Sequence, residues 1–105
     1  MVMVRLGGLI MSSYRSTNEL EDLVLTELSA YNTYLLCCVR DNKVFEYLEH
    51  IADKYEVKKD FVFNHNFDVF NWYMRNGVDE VQSKEMALYT THDYLVREWL
   101  KSEKE

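Results

Sequence analysis

The chain carries no proline and only three glycines in 105 residues. Tight turns draw on these two residues, because glycine supplies positive φ and proline presets a turn-compatible φ. An all-β domain of this length needs many such turns, so their scarcity favours long helices joined by few connections. The apolar residues agree. Leu20, Leu23, Val24, Leu28, Tyr31, Leu35 and Val39 recur at spacings of three and four, and Val44, Phe45, Leu48, Ile51, Ala52 and Tyr55 do so again. Both patterns are helical stripes.

The length argues for one domain. The hydrophobic fraction of 48% and the aromatic fraction of 14% argue for a packed core rather than disorder. A chain of this size buries roughly two thirds of its unfolded surface and needs neither metal nor disulfide to do so. Ser16-Thr17-Asn18-Glu19 has the pattern of a capping box and predicts a helix start at Ser16. The stripe carries that helix to about Arg40, although the apolar run Tyr34–Val39 reads equally as a buried strand by periodicity alone. Asp41-Asn42 reads as a break and a second cap. Asn66 is a better cap than Asp60 for a third helix over Phe67–Asn76, with Gly77 as its stop. Phe61-Val62-Phe63 then reads as an extended connection, Val78–Glu85 as irregular, and Met86–Tyr89 as a strand or helical turn. Thr90 and Asp93 offer caps for a C-terminal helix that buries Leu95, Val96, Trp99 and Leu100.

The expected fold is therefore mostly α, a small bundle of three to four helices with room for a short β element at Tyr34–Val39 or Met86–Tyr89. Leu48, Ile51, Phe70 and Trp99 are its expected core. Residues 1–13 are expected to form a flexible N-terminal extension, and residues 14–105 a single helical domain. The apolar run after Arg5 is shorter than the core of a signal peptide and far short of a membrane span. Cys37 and Cys38 are adjacent, a spacing that strains any disulfide between them. They read as reduced, buried thiols of a cytoplasmic protein.

Charge is unevenly spread. Residues 16–56 hold nine acids and three bases, a net −6, which equals the net charge of the whole chain. An acidic surface disfavours direct contact with nucleic acid and favours a basic protein partner. Glu46, Glu49, Asp53 and Glu56 fall on one side of the second helix, over about 15 Å of its axis. Their Cβ atoms lie about 5–6 Å apart, close to the spacing of successive phosphates along one strand. A basic channel built for phosphates would attract such a row. Six aromatic residues crowd Phe61–Tyr73, too many to point inward together, so Phe61, Phe63, Trp72 and Tyr73 are expected to supply an exposed binding patch.

No motif for catalysis, nucleotide or metal is present. Gly7-Gly8 lacks the rest of a phosphate loop. His50, His65 and His92 are isolated from one another and read as surface or capping histidines. Cys37 and Cys38 have no flanking base to activate them. No catalytic residue, metal ligand or cofactor is assigned.

Two resemblances remain. Ile51–Val62 resembles the start of a helix-turn-helix unit, with Ala52, Val57 and Val62 in its apolar places and Glu56 where glycine is usual. That implies a small DNA-binding regulator. In character the chain resembles the phage-encoded inhibitors of bacterial defence, the anti-CRISPR and anti-restriction proteins: small, acidic, rich in aromatics and without a catalytic motif. That resemblance implies an inhibitor that occupies the nucleic-acid channel of a basic target. The expected function is an acidic protein-binding module of this kind, ahead of the DNA-binding regulator and of a small cysteine-dependent enzyme using Cys37 or Cys38.

Overall fold

The structure, a computed structural model, describes residues 13–104. Four helices follow one another: α1 (Ser13–Arg40), α2 (Val44–Lys54), α3 (Lys59–Arg75) and α4 (Glu80–Lys104). There is no strand among the described residues. Tyr34–Val39 lies within α1 and Met86–Tyr89 within α4. In both segments the helical phase of the flanking residues runs straight through. Leu35, Cys38 and Val39 continue the buried stripe of Val24 and Leu28, and Ala87 and Leu88 lead into Thr91, His92 and Leu95. The expected extension over residues 1–13 lies outside the described residues, except Ser13, which opens α1.

Three other boundaries differ from expectation. Ser16 is inside α1 rather than at its cap. α3 starts at Lys59, not after Asn66, and takes in Phe61-Val62-Phe63. Val62 is fully buried there, and Asp60 puts a carboxylate in the first turn, where the helix dipole favours it. α4 starts at Glu80, so Thr90 and Asp93 are interior. Its cap is Asp79, whose Oδ1 accepts the Gln82 N–H at 2.7 Å.

The helix ends share one device. Asn42, Glu56 and Gly77 adopt φ of 59°, 56° and 86° after α1, α2 and α3. At each, the next N–H reaches back five residues: Lys43 to the Cys38 carbonyl at 2.7 Å, Val57 to Ala52 at 2.9 Å, Val78 to Tyr73 at 3.1 Å. These are Schellman closures, which glycine fills best. Asn42 is therefore the stop of α1 rather than a cap of α2. Glu56 is the strained member, since its Cβ resists a left-handed backbone.

α4 packs against each of the other three helices. Around it lie Val24, Leu28 and Leu35 of α1, Tyr47, Leu48 and Ile51 of α2, and Val62 of α3, all buried. Leu48 and Ile51 are fully buried as expected. Phe70 and Trp99 are only half-buried. Phe70 faces an open groove between α2 and α3. Trp99 meets the Tyr55 ring edge to face, 5.9 Å away at 68°, and lines a depression with Leu23 and Leu100.

Relieving the strained turn should help the fold. Glu56→Gly is expected to stabilise the protein by about 1 kcal/mol. Gly77→Ala is expected to destabilise it by a similar amount, because nothing crowds a Cβ there and only the positive φ resists it. Thermal melts of the two variants check both signs.

Candidate functional site

His92 continues the α4 stripe between Leu88 and Val96 and is completely buried. A buried imidazole must have both nitrogens satisfied. The Tyr47 hydroxyl lies 2.6 Å from Nδ1 and the Tyr55 hydroxyl 3.2 Å from Nε2. Tyr55 is also 2.6 Å from Oε2 of Glu27. A phenol has one proton and a carboxylate has none to give. Tyr55 therefore donates to Glu27 and accepts the Nε2–H of His92, and Tyr47 donates to Nδ1. Lys54 donates to the same Glu27 oxygen, and to the Tyr31 hydroxyl at 3.2 Å. The Tyr31 hydroxyl also lies 2.9 Å from Nε2 of His50. The Tyr31 ring stands edge-on to His92, 4.7 Å away at 90°.

Burial pulls His92 down to about 4, so the ring is neutral at pH 7. Burial also pushes the phenols of Tyr47 and Tyr55 up. Burial would raise the Glu27 carboxyl, but the hydrogen bonds from Lys54 and Tyr55 outweigh it and hold the group below its usual range. The hydrogen bond to Glu27 keeps Lys54 firmly protonated. Around His92 the groups are thus a neutral imidazole, the Glu27 carboxylate and the Lys54 ammonium, joined through Tyr47 and Tyr55. They tie α2 to α1 and α4. A second tie joins α1 to α4, where Arg97 forks onto Glu21, with Nη2–Oε1 at 3.0 Å, and meets Asp93 at 2.7 Å.

Reading His92 as a surface or capping histidine is thus overturned. The signal for burial lay in its spacing from Leu88, Leu95 and Val96. The other two histidines are also held by hydroxyls, His50 by Tyr31 and His65 by Thr91 at 3.1 Å. Cys38 is buried and Cys37 half-buried, and both are free. Burial pushes the Cys38 thiol up, away from the thiolate. Among the described residues no cluster of histidine, cysteine or carboxylate is placed to hold a metal ion. No described helix is long and apolar enough to cross a membrane.

Because its inner side is bound in this way, α2 turns one ridge outward. Glu46, Glu49 and Asp53 stand exposed along it. From Glu46 to Asp53 the row runs seven residue steps, about 10 Å of axis. Glu56 does not extend the row as a helical residue, since it sits on the left-handed turn beyond the helix end. Among the described residues none of these four acids is in an ion pair, and Lys54, close in sequence, is turned to Glu27 instead.

The aromatic residues divide. On a helix Phe61 and Phe63 point about 200° apart, so they cannot share one patch. Phe61 is exposed beside Tyr94, 6.0 Å away. Phe63 is half-buried and stacks on Phe45 of α2 at 5.3 Å and 27°. Trp72 is exposed and meets half-buried Tyr73 edge to face at 5.1 Å. Phe45, expected on the buried stripe, is 68% exposed and borders the acid ridge. It also lines an open groove of about 270 Å³ with Val44, Asn66, Phe67, Phe70 and Lys84. Oδ1 of Asn66 is buried there without a hydrogen-bond partner.

The segment Ile51–Val62 is a helix, a left-handed turn at Glu56 and a second helix. Ala52 and Val62 are buried and Val57 is half-buried. The charge is not gathered for DNA: α3 carries Lys59 and Arg75 against Asp60 and Asp68. No protein-family model matches the chain, and neither a curated protein nor a solved structure matches it.

The histidine makes stability depend on pH. Its folded value near 4 lies below the ordinary value of 6.5, so the unfolded chain binds the proton more readily. Stability is complete above the ordinary value and is lost as pH falls through that window. Between pH 7 and pH 4 the loss attributable to His92 is about 3 kcal/mol. Denaturant melts of the wild type and His92→Gln, compared across that range, should show the variant's slope reduced. Equal slopes would assign the acid sensitivity elsewhere.

Proposed function

We propose that the chain is an acidic protein-binding module whose α2 ridge docks on the basic surface of a nucleic-acid-binding protein, in the manner of phage anti-defence inhibitors. One observation carries this reading. Glu21, Glu27, Asp41 and Asp93 are each matched to a cation, while Glu46, Glu49 and Asp53 stand outward with none among the described residues. Like charges at helical spacings of three and four cost a few tenths of a kcal/mol per pair. The ridge therefore works slightly against the fold, and a partner that neutralises it recovers that cost. Exposed Phe45 beside the ridge supplies the apolar contact that charge alone lacks, as in interfaces where an aromatic anchor sits within a polar rim.

A helix-turn-helix regulator is the second reading, favoured by the backbone at Glu56 and opposed by the balanced charge of α3. A cysteine-dependent enzyme has less support, given the raised thiol of Cys38. Affinity capture from the native host with and without nuclease separates the first two. A partner retained after nuclease treatment favours the module, and one lost with the nucleic acid favours the regulator.

Against the captured partner, the variant with Glu46→Gln, Glu49→Gln and Asp53→Asn should bind at least about tenfold more weakly and with a flatter salt dependence. It should melt no lower than wild type. Unchanged affinity and salt dependence would remove the ridge from the interface.

A further inference from the structure

The groove between α2 and α3 opens directly beside the acid ridge. Its volume of about 270 Å³ is at the lower limit of small-molecule pockets, which run from about 300 to 1,000 Å³. It has room for one large side chain. Phe45, Phe67 and Phe70 make its walls aromatic, and the first two are largely exposed. An aromatic lining prefers another ring, stacked or edge-on.

Two polar features narrow the occupant. Asn66 lines the groove, and its Oδ1 is buried with no donor. An orphaned acceptor of this kind is costly, and an occupant that brings a donor removes the penalty. The atom itself has no exposed surface, so a donor in the groove meets it only when the amide turns about its last torsion. Lys84 stands on the same groove and is held there by Glu80 at 3.2 Å. A guanidinium or ammonium inserted beside it would be repelled, so the donor is neutral. A phenol would give its proton to Asn66 but leave its own oxygen needing a partner among phenylalanines. An indole only donates and leaves nothing unsatisfied.

We infer that this groove receives a tryptophan side chain from the basic partner, with its indole N–H bonded to Asn66 and its flanking lysines or arginines on the Glu46–Glu49 ridge. Phe45 precedes Glu46 directly and Glu49 follows one turn later, so ring and cations are accepted by adjacent positions of one helix. The inference rests on the protein-binding reading above and names the residue that anchors the partner.

The test uses the full chain, labelled for amide NMR, and three capped peptides. One has tryptophan between two pairs of lysines. The second replaces it with 1-methyltryptophan, and the third with alanine. The first peptide should shift the Phe45, Asn66, Phe67 and Phe70 amides, and it should bind about fivefold or more tightly than the methylated one. Asn66→Leu, which removes the orphan and keeps the fold, should abolish that difference. Equal binding of the first two peptides to wild type would overturn the inference, as would shifts that avoid the groove.

The alanine peptide separates this inference from the reading beneath it. If all three peptides bind alike and only the ridge shifts, the groove inference fails and the acidic interface stands. If the tryptophan peptide enters the groove with no dependence on salt, the indole site stands, and the ridge contact and the acidic-interface reading both fail.

Discussion

A histidine with no exposure to water has to be kept either neutral or paired. Here it is kept neutral by phenols. Tyr47 donates to one ring nitrogen and Tyr55 accepts from the other. The nearest carboxylate, Glu27, is held off by one residue, because Tyr55 stands between it and the ring. A carboxylate directly on Nε2 would favour the imidazolium. A phenol passes on the hydrogen bond without the full charge. The desolvation of His92 is thus compensated by hydrogen bonds alone, and the one formal ion pair of the network, Glu27 with Lys54, lies at the edge where water still reaches it. Buried polar networks stabilise only when every member is satisfied, and both ring nitrogens of His92 have a partner here.

The outer surface depends on that arrangement. α2 has 11 residues, too short to persist alone in water. Its position comes from what it buries and bonds. Tyr47, His50 and Lys54 of the helix, and Tyr55 at its end, all turn inward or toward α1. The residues left facing out are Phe45, Glu46, Glu49 and Asp53. Lys54 is the informative one. On sequence spacing it would soften the acid row, but Glu27 and Tyr31 draw it to the other side. The same network that fixes the helix therefore strips its outer face of a counter-charge. This gives the ridge a physical origin, and the left-handed turn at Glu56 sets where it ends.

Much of the fold was legible where apolar spacing was regular. The end of α1 near Arg40, the burial of Leu48, Ile51, Ala52 and Tyr55, and the stop at Gly77 all follow from periodicity and one glycine; Phe45 and Tyr47 exchange places, one exposed and the other buried. The start of α3 was not legible. Phe61-Val62-Phe63 has the composition of a strand, and only Val62 is needed inside, so tertiary packing overrode local appearance. Asn66 looks like a cap by residue type and is in fact mid-helix. The acid ridge was readable because exposed acids at helical spacing leave a clear pattern. The aromatic cluster was misread as one patch, because neighbours in sequence diverge around a helix. The burial of His92 is hidden by its residue type and shows only in its place on the apolar stripe of α4.

The central claim is that a neutral His92, with its proton on Nε2 and Nδ1 accepting from Tyr47, holds α2 in place. Long-range proton–nitrogen NMR of the histidine rings, followed from about pH 7 to about pH 5, tests it directly. The account requires a single His92 signal of the neutral Nε2–H form that persists across this range. A ring that titrates near the ordinary histidine value of about 6.5, or one that carries its proton on Nδ1, would contradict it.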